Sequence, residues 1–133
     1  MEPLDALMQA DVLELCGNAR EAARLREESI VGASEDDVIC YAYTLLWRNV
    51  TERAIEVLEE NVAIHPDSWN AYDTLAEAYA QNGDISRALV NYTLAARLSP
   101  NHDQYVRIMG RIAELQGEIT LNSRSDRHPL ELR

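Results

Sequence analysis

The chain has no phenylalanine and no lysine, so all twelve of its basic residues are arginine. Without Phe, the interior must be filled by Tyr, Leu, Ile and Ala. With 23 acidic residues against those twelve, the formal net charge is −11. Nucleic-acid partners are excluded, because phosphates need a basic face and the chain has none of useful size. Cysteine is scarce: Cys16 and Cys40 show neither metal-ligand spacing nor a C-x-x-C. A disulfide scaffold is therefore not expected, and both thiols, lying in helical patterns, are expected to be buried as small apolar groups. No run of apolar residues approaches the length of a membrane span. The start, Met1 to Asp5, has no basic stretch followed by an apolar one, so no secretory signal is expected and a cytoplasmic location is.

Catalytic patterns are missing as well. There is no G-x-S-x-G, H-E-x-x-H, P-loop or dinucleotide glycine motif. His65, His102 and His128 stand apart, and the adjacent acids Asp36-Asp37 and Glu59-Glu60 point in different directions on a helix. No catalytic, cofactor-binding or metal-binding residue is assigned, and the chain is read as a non-enzyme.

What the chain does have is helical patterning between clear stops. Glu2 to Leu15 carries an apolar stripe of Leu4, Leu7, Met8, Val12 and Leu15, and Gly17-Asn18 ends it. Ala19 to about Val31 is a second helix. Ser34, followed by three acids, is an N-cap for a helix over Glu35 to Arg48. Thr51 is expected to cap a helix ending at His65-Pro66, because the residue before Pro is pushed out of the α region. Asp67-Ser68 caps the next, which runs to Gln81. Asn82-Gly83-Asp84 is a tight turn, and Ile85 to Leu98 follows. A last helix opens at Asn101 or His102 and runs to about Leu121, with residues 122–133 as a flexible tail.

The helices are not independent. Tyr72, Leu75, Ala76 and Tyr79, then Ala88, Tyr92, Ala95 and Pro100, form one unit. Thirty-four residues earlier, Val38, Tyr41, Ala42 and Leu45 stand where the first four stand, and Ala54, Leu58 and Pro66 match Ala88, Tyr92 and Pro100. Thirty-four residues later come Val106, Met109, Gly110 and Ala113, and Gly117-Glu118-Ile119 repeats Gly83-Asp84-Ile85. Gly17-Asn18 is a worn turn of the same kind, with Arg26 where an aromatic or aliphatic residue belongs.

This pattern resembles the tetratricopeptide repeat (TPR), a pair of antiparallel helices with small residues where the two backbones meet. The resemblance implies an all-α fold, a right-handed TPR-type superhelix of about seven helices in a single domain over 1–133. Its parts are a degenerate hairpin over 1–34, repeats over 35–68 and 69–102, and the first helix of a partial repeat over 103–121. A pair cannot bury its apolar face alone, so neighbours stack and leave a curved surface for a partner.

In TPR proteins the first helix of each pair lines the concave groove. By register, the resemblance places Asp36, Ile39, Tyr43, Leu46 and Trp47 there, then Asn70, Asp73, Glu77, Ala80 and Gln81, then Gln104, Arg107, Arg111, Glu114 and Leu115. A clamp for a chaperone's C-terminal carboxylate would use Lys, Asn and Arg at places that here hold Ile39, Tyr43, Thr74, Gln104 and Ile108, so that ligand is not expected. Arg107 and Arg111 could hold a carboxylate, or could be balanced by Asp73 or Glu77. Tyr43, Leu46 and Trp47 are a large apolar group at positions that are often small or charged. Either the helices of residues 2–31 cover them, or they anchor a peptide. At the rear, Ile108, Ile112, Leu115 and Ile119 form a stripe that could pack inward, be covered by the Pro129-Leu130 tail, or pair with a second copy.

The function expected is a non-catalytic module that binds a peptide or amphipathic helix, with Asp36, Ile39, Tyr43, Trp47, Asn70, Asp73, Glu77, Gln104, Arg107 and Arg111 as the groove residues. Two alternatives stay open: self-assembly as a homodimer through the rear stripe, and an accessory role in an enzyme or secretion complex. The charge is uneven, a net of −9 over residues 1–60 against −2 over 61–133. That distribution serves solubility, a basic partner, or contact between the acidic front and the Arg-bearing rear.

Overall fold

The computed structural model describes residues 2–131, with side chains described apart from those of Val31 and 122–131. Among these residues the chain is all-α, with seven helices: α1 (Pro3–Leu15), α2 (Ala19–Gly32), α3 (Glu35–Trp47), α4 (Thr51–Ile64), α5 (Trp69–Gln81), α6 (Ile85–Leu98) and α7 (His102–Glu131). Consecutive helices pack as antiparallel hairpins α1–α2, α3–α4 and α5–α6, and α7 packs on α6. The hairpins stack through α4 on α5, α1 on α3, α3 on α5 and α2 on α4, the arrangement of a TPR-type superhelix.

The joints are where the repeat pattern requires small side chains. Ala42, Ala54, Ala76, Ala88 and Ala95 are all at 0% exposure, and Tyr41, Tyr92, Leu45 and Leu58 fill the space around them. Burial of this apolar set is the main favourable term in holding the hairpins together.

Three hairpin turns share one geometry. Gly17, Asn49 and Gly83 adopt φ values of +86°, +63° and +85°. In each, the next residue's N–H reaches back to the fifth residue before it: Asn18 to the Leu13 carbonyl at 2.8 Å, Val50 to Leu45 at 2.8 Å, Asp84 to Tyr79 at 2.9 Å. These are Schellman caps, which satisfy carbonyls that the helix end would leave open. The starts are closed by side chains: Ser34 accepts from the Asp37 N–H, Ser68 from Ala71 and Asp84 from Arg87, each at 3.2 Å.

Several sequence expectations are corrected. Thr51 is the first helical residue rather than a cap; Val50 occupies the cap position and makes no side-chain capping bond. Gly117 makes no turn, because α7 continues as helix to Glu131, past the expected end at Leu121. The segment holding Pro129 and Leu130 thus extends α7 instead of covering it. Cys16 and Cys40 are exposed thiols, not buried ones. Ile108, Ile112 and Leu115 are buried at 0%, 8% and 2%, so they cannot form an oligomer face, and only Ile119 of that stripe is exposed. The physical reason is orientation: those three side chains belong to the apolar core that α6 and the earlier helices share.

Candidate peptide-binding surface

The thirty-four-residue period sets side chains of α3, α5 and α7 in rows. One row is Ile39, Asp73 and Arg107; the next is Tyr43, Glu77 and Arg111. One neighbouring pair in each row touches. The Tyr43 hydroxyl donates to Glu77 Oε2 at 3.1 Å, and Arg107 Nη2 donates to Asp73 Oδ2 at 2.8 Å. Gln81 Nε2 donates to the Leu46 carbonyl at 2.8 Å, tying the end of α5 to α3.

Along the α3 side of this surface lies an open cavity of about 910 Å³. Of the groove residues expected from sequence, it brings together Asp36, Ile39, Tyr43, Trp47 and Glu77, with Leu46 and Gln81. Asn70, Asp73, Gln104, Arg107 and Arg111 are not part of its wall. Cys40, Thr44 and Asn49 line it too; sequence reasoning missed them. Cys40 and Thr44 directly follow Ile39 and Tyr43, so a wider arc of the α3 wheel would have included them.

The lining divides by chemistry. Ile39 and Leu46 form an apolar floor, each under 8% exposed, while Trp47 stands at the edge with 92% of its surface open. The first hairpin does not cover it. Tyr43 is half-exposed, and its hydroxyl is pushed up to about 12 by burial and by the Glu77 carboxylate. Asp36 and Glu77 supply negative charge, and among the described residues no cationic side chain lines the cavity.

The arginines lie elsewhere and are engaged. Asp73 is 5% exposed; burial raises its pKa and the Arg107 guanidinium opposes that rise. Its other oxygen, Oδ1, is buried without a partner. Arg111 pairs with Glu114 at 2.5 Å and lies 5.8 Å from the centroid of the Tyr92 ring. Their charges are thus spent within the protein.

No group of three or more His, Cys, Asp or Glu stands together among the described residues as a metal site would require, and no described helix is long and apolar enough to cross a membrane.

No family model matches the chain, and no curated protein matches it. Solved structures do. A structure of SycD, the Yersinia enterocolitica type III secretion translocator chaperone in an alternative dimer, is similar at 17% identity and a TM-score of 0.58, over 92% of this chain and 96% of that one. MamA from Desulfovibrio magneticus RS-1 is similar at 21% identity and a TM-score of 0.52, over 92% and 76%. A MamA mutant gives 19% identity and a TM-score of 0.50, over 91% and 71%. At these identities the likeness is one of fold: a TPR-like stack of helical hairpins.

Proposed function

We propose that the chain is a non-catalytic interaction module whose α3–α5 cavity seats a segment of another polypeptide, as a peptide or one face of a helix. The segment carries a large apolar side chain next to a basic one. The apolar group packs on Ile39, Leu46 and the face of Trp47. The basic group lies near Asp36 and Glu77, where a cation over an indole gains further attraction. The observation that carries the reading is Trp47, 92% exposed at the edge of an acidic and apolar cavity. Indole and phenol groups give large contact area at small entropic cost and dominate binding surfaces. One structural neighbour is named a translocator chaperone; at 17% identity that name lends the reading context, and the ligand class rests on the cavity.

The test is selection of random peptides displayed against the wild-type protein, followed by calorimetry on synthetic winners. The expected winners pair Arg or Lys with a bulky apolar residue. Trp47→Ala is expected to weaken them by about tenfold or more, the effect of losing an aromatic anchor, and Glu77→Gln to weaken the basic ones selectively. Equal affinity for wild type and both variants would remove the cavity from consideration.

A further inference from the structure

In α5, the face bearing Tyr72, Leu75, Ala76 and Tyr79 is covered by α6, whose Ala88, Tyr92 and Ala95 are buried. One period later, α7 presents Val106, Met109, Gly110 and Ala113 at the same positions, but α7 runs on as a single helix, and no second helix among the described residues covers them. Val106 is 52% exposed, Met109 41% and the neighbouring Tyr105 44%; Gly110, Ala113 and Gly117 are exposed too. At about 100° per residue, these six project within an arc of about 140°. Over residues 102–121, His102, Gln116 and Thr120 share the arc, and no charged residue does. Asp103, Arg107, Arg111, Glu114 and Glu118 lie outside it.

We infer that this face of α7 is the self-association surface of the protein, occupied by α7 of a second copy running antiparallel to the first. Two observations select that occupant. The first is self-complementarity. The large residues Tyr105, Val106 and Met109 occupy the front half of the face, and the small ones Gly110, Ala113 and Gly117 the rear half. About a two-fold axis near residues 111 and 112, Val106 of one helix falls opposite Gly117 of the other, and Met109 opposite Ala113. Each helix places its bulky half on the partner's open half, and Gly110 and Ala113 let the backbones approach near the axis. A two-fold interface demands this match of a surface with itself. The second is charge. Two chains of net charge −11 repel wherever acids face each other, and over residues 102–121 this arc carries none. A cavity of about 270 Å³ between α6 and α7, lined by Thr93, Ala96, Arg97, Tyr105, Met109 and Ile112, adjoins this face and offers room for side chains of the second copy. This surface differs from the Ile108, Ile112 and Leu115 stripe, and it does not depend on the α3–α5 cavity.

Light scattering across a concentration series tests the inference. The wild type is expected to move from monomer to dimer over the micromolar range, and Met109→Glu and Ala113→Arg each to raise the dissociation constant by at least tenfold, with unchanged helical circular dichroism showing that the chain still folds. Orientation is read by cross-linking in a Cys16→Ser, Cys40→Ser background. A mixture of Met109→Cys and Ala113→Cys chains is expected to oxidise to the mixed disulfide ahead of either homodimer. A monomer at every concentration overturns the proposal. So does a dimer untouched by both charged variants, or one in which Ala113→Cys links mainly to itself, the result of parallel pairing.

Discussion

Arg107 and Asp73 are one repeat apart, 34 residues, and they form an ion pair of 2.8 Å between α7 and α5. The carboxylate is buried while the guanidinium is half-exposed. Asp73 is therefore the costly partner: burial alone would favour its protonated form, and Arg107 works against that. The pair stabilises the seat of the last helix, and it leaves Arg107 with little capacity for an outside carboxylate.

Arg107→Ala follows directly. The buried Asp73 would keep one oxygen already without a partner and lose the donor to the other. Removing one member of such a contact leaves an unsatisfied acceptor, worth about 1–3 kcal/mol. The expected result in urea denaturation is a loss in that range, and a smaller loss when Asp73→Asn is added. An Arg107→Ala protein as stable as wild type would show that the pair contributes nothing.

Asn49 offers a test of the turns. It holds φ +63° where Gly17 and Gly83 stand in the other hairpins. A residue with a Cβ pays about 1–2 kcal/mol to enter this left-handed region, and Asn pays less than most. Asn49→Ala should destabilise the protein by about 1 kcal/mol, and Asn49→Gly should be tolerated. Thermal melts of the two variants, expected to separate in that order, check it.

The same residue shows how far the sequence could be read. Ala and Tyr at thirty-four-residue spacing revealed the stacked hairpins, because close helix packing permits few residue types at the joints. The sequence places the middle turn between Arg48 and Thr51, but no Gly marks it, so Asn49 is not picked out as its left-handed residue, and Thr51 looks like the cap that Val50 is. The sequence leaves the α7 stripe open between packing inward and pairing with a second copy, and three of its four residues pack inward. Periodicity finds two apolar arcs on that helix, Ile108–Ile112–Leu115 and Val106–Met109, but only tertiary packing says which one meets α6. In the candidate site, the row of Tyr43 and Glu77 followed from the period, whereas the engagement of Arg107 and Arg111 depended on side-chain reach that spacing does not encode.

Alkaline pH should act through the tyrosines. Burial and the Asp11 carboxylate raise Tyr41, and burial with Glu59 pushes Tyr79 up to about 12 from the usual 10. Tyr43 is pushed up to about 12 by burial and Glu77. A phenol that is harder to ionise in the folded chain contributes its full stability below pH 10, and loses it as pH climbs through the folded value. Stability measured by urea titration should therefore be flat in this respect up to pH 10 and fall between pH 10 and about 12. Tyr79→Phe should make the fall shallower. A protein equally stable at both ends of that window would contradict it.

The last prediction concerns Asp11, which joins four helices. Its Oδ1 accepts from the Tyr41 hydroxyl at 2.6 Å, from Arg26 at 2.9 Å and from Arg53 at 3.4 Å. Glu14 adds a second carboxylate, 3.4 Å from Arg26 and also paired with Arg53. Arg26, which stands where the repeat pattern calls for an apolar residue, is thus accommodated by acids on α1. The cluster is largely withdrawn from water, with the Arg26 and Asp11 side chains at 13% and 11% exposure. Breaking such a network by one residue is worse than removing it, because the cations left behind have lost both water and counter-charge. Asp11→Ala is expected to cost about 3 kcal/mol or more. Asp11→Leu combined with Arg26→Leu should cost clearly less, since Glu14 still neutralises Arg53 and the space is refilled with apolar volume. If the double variant proved the less stable of the two in denaturant titration, the cluster would be holding the first hairpin to the second by charge, and the repeat's apolar packing would be secondary there.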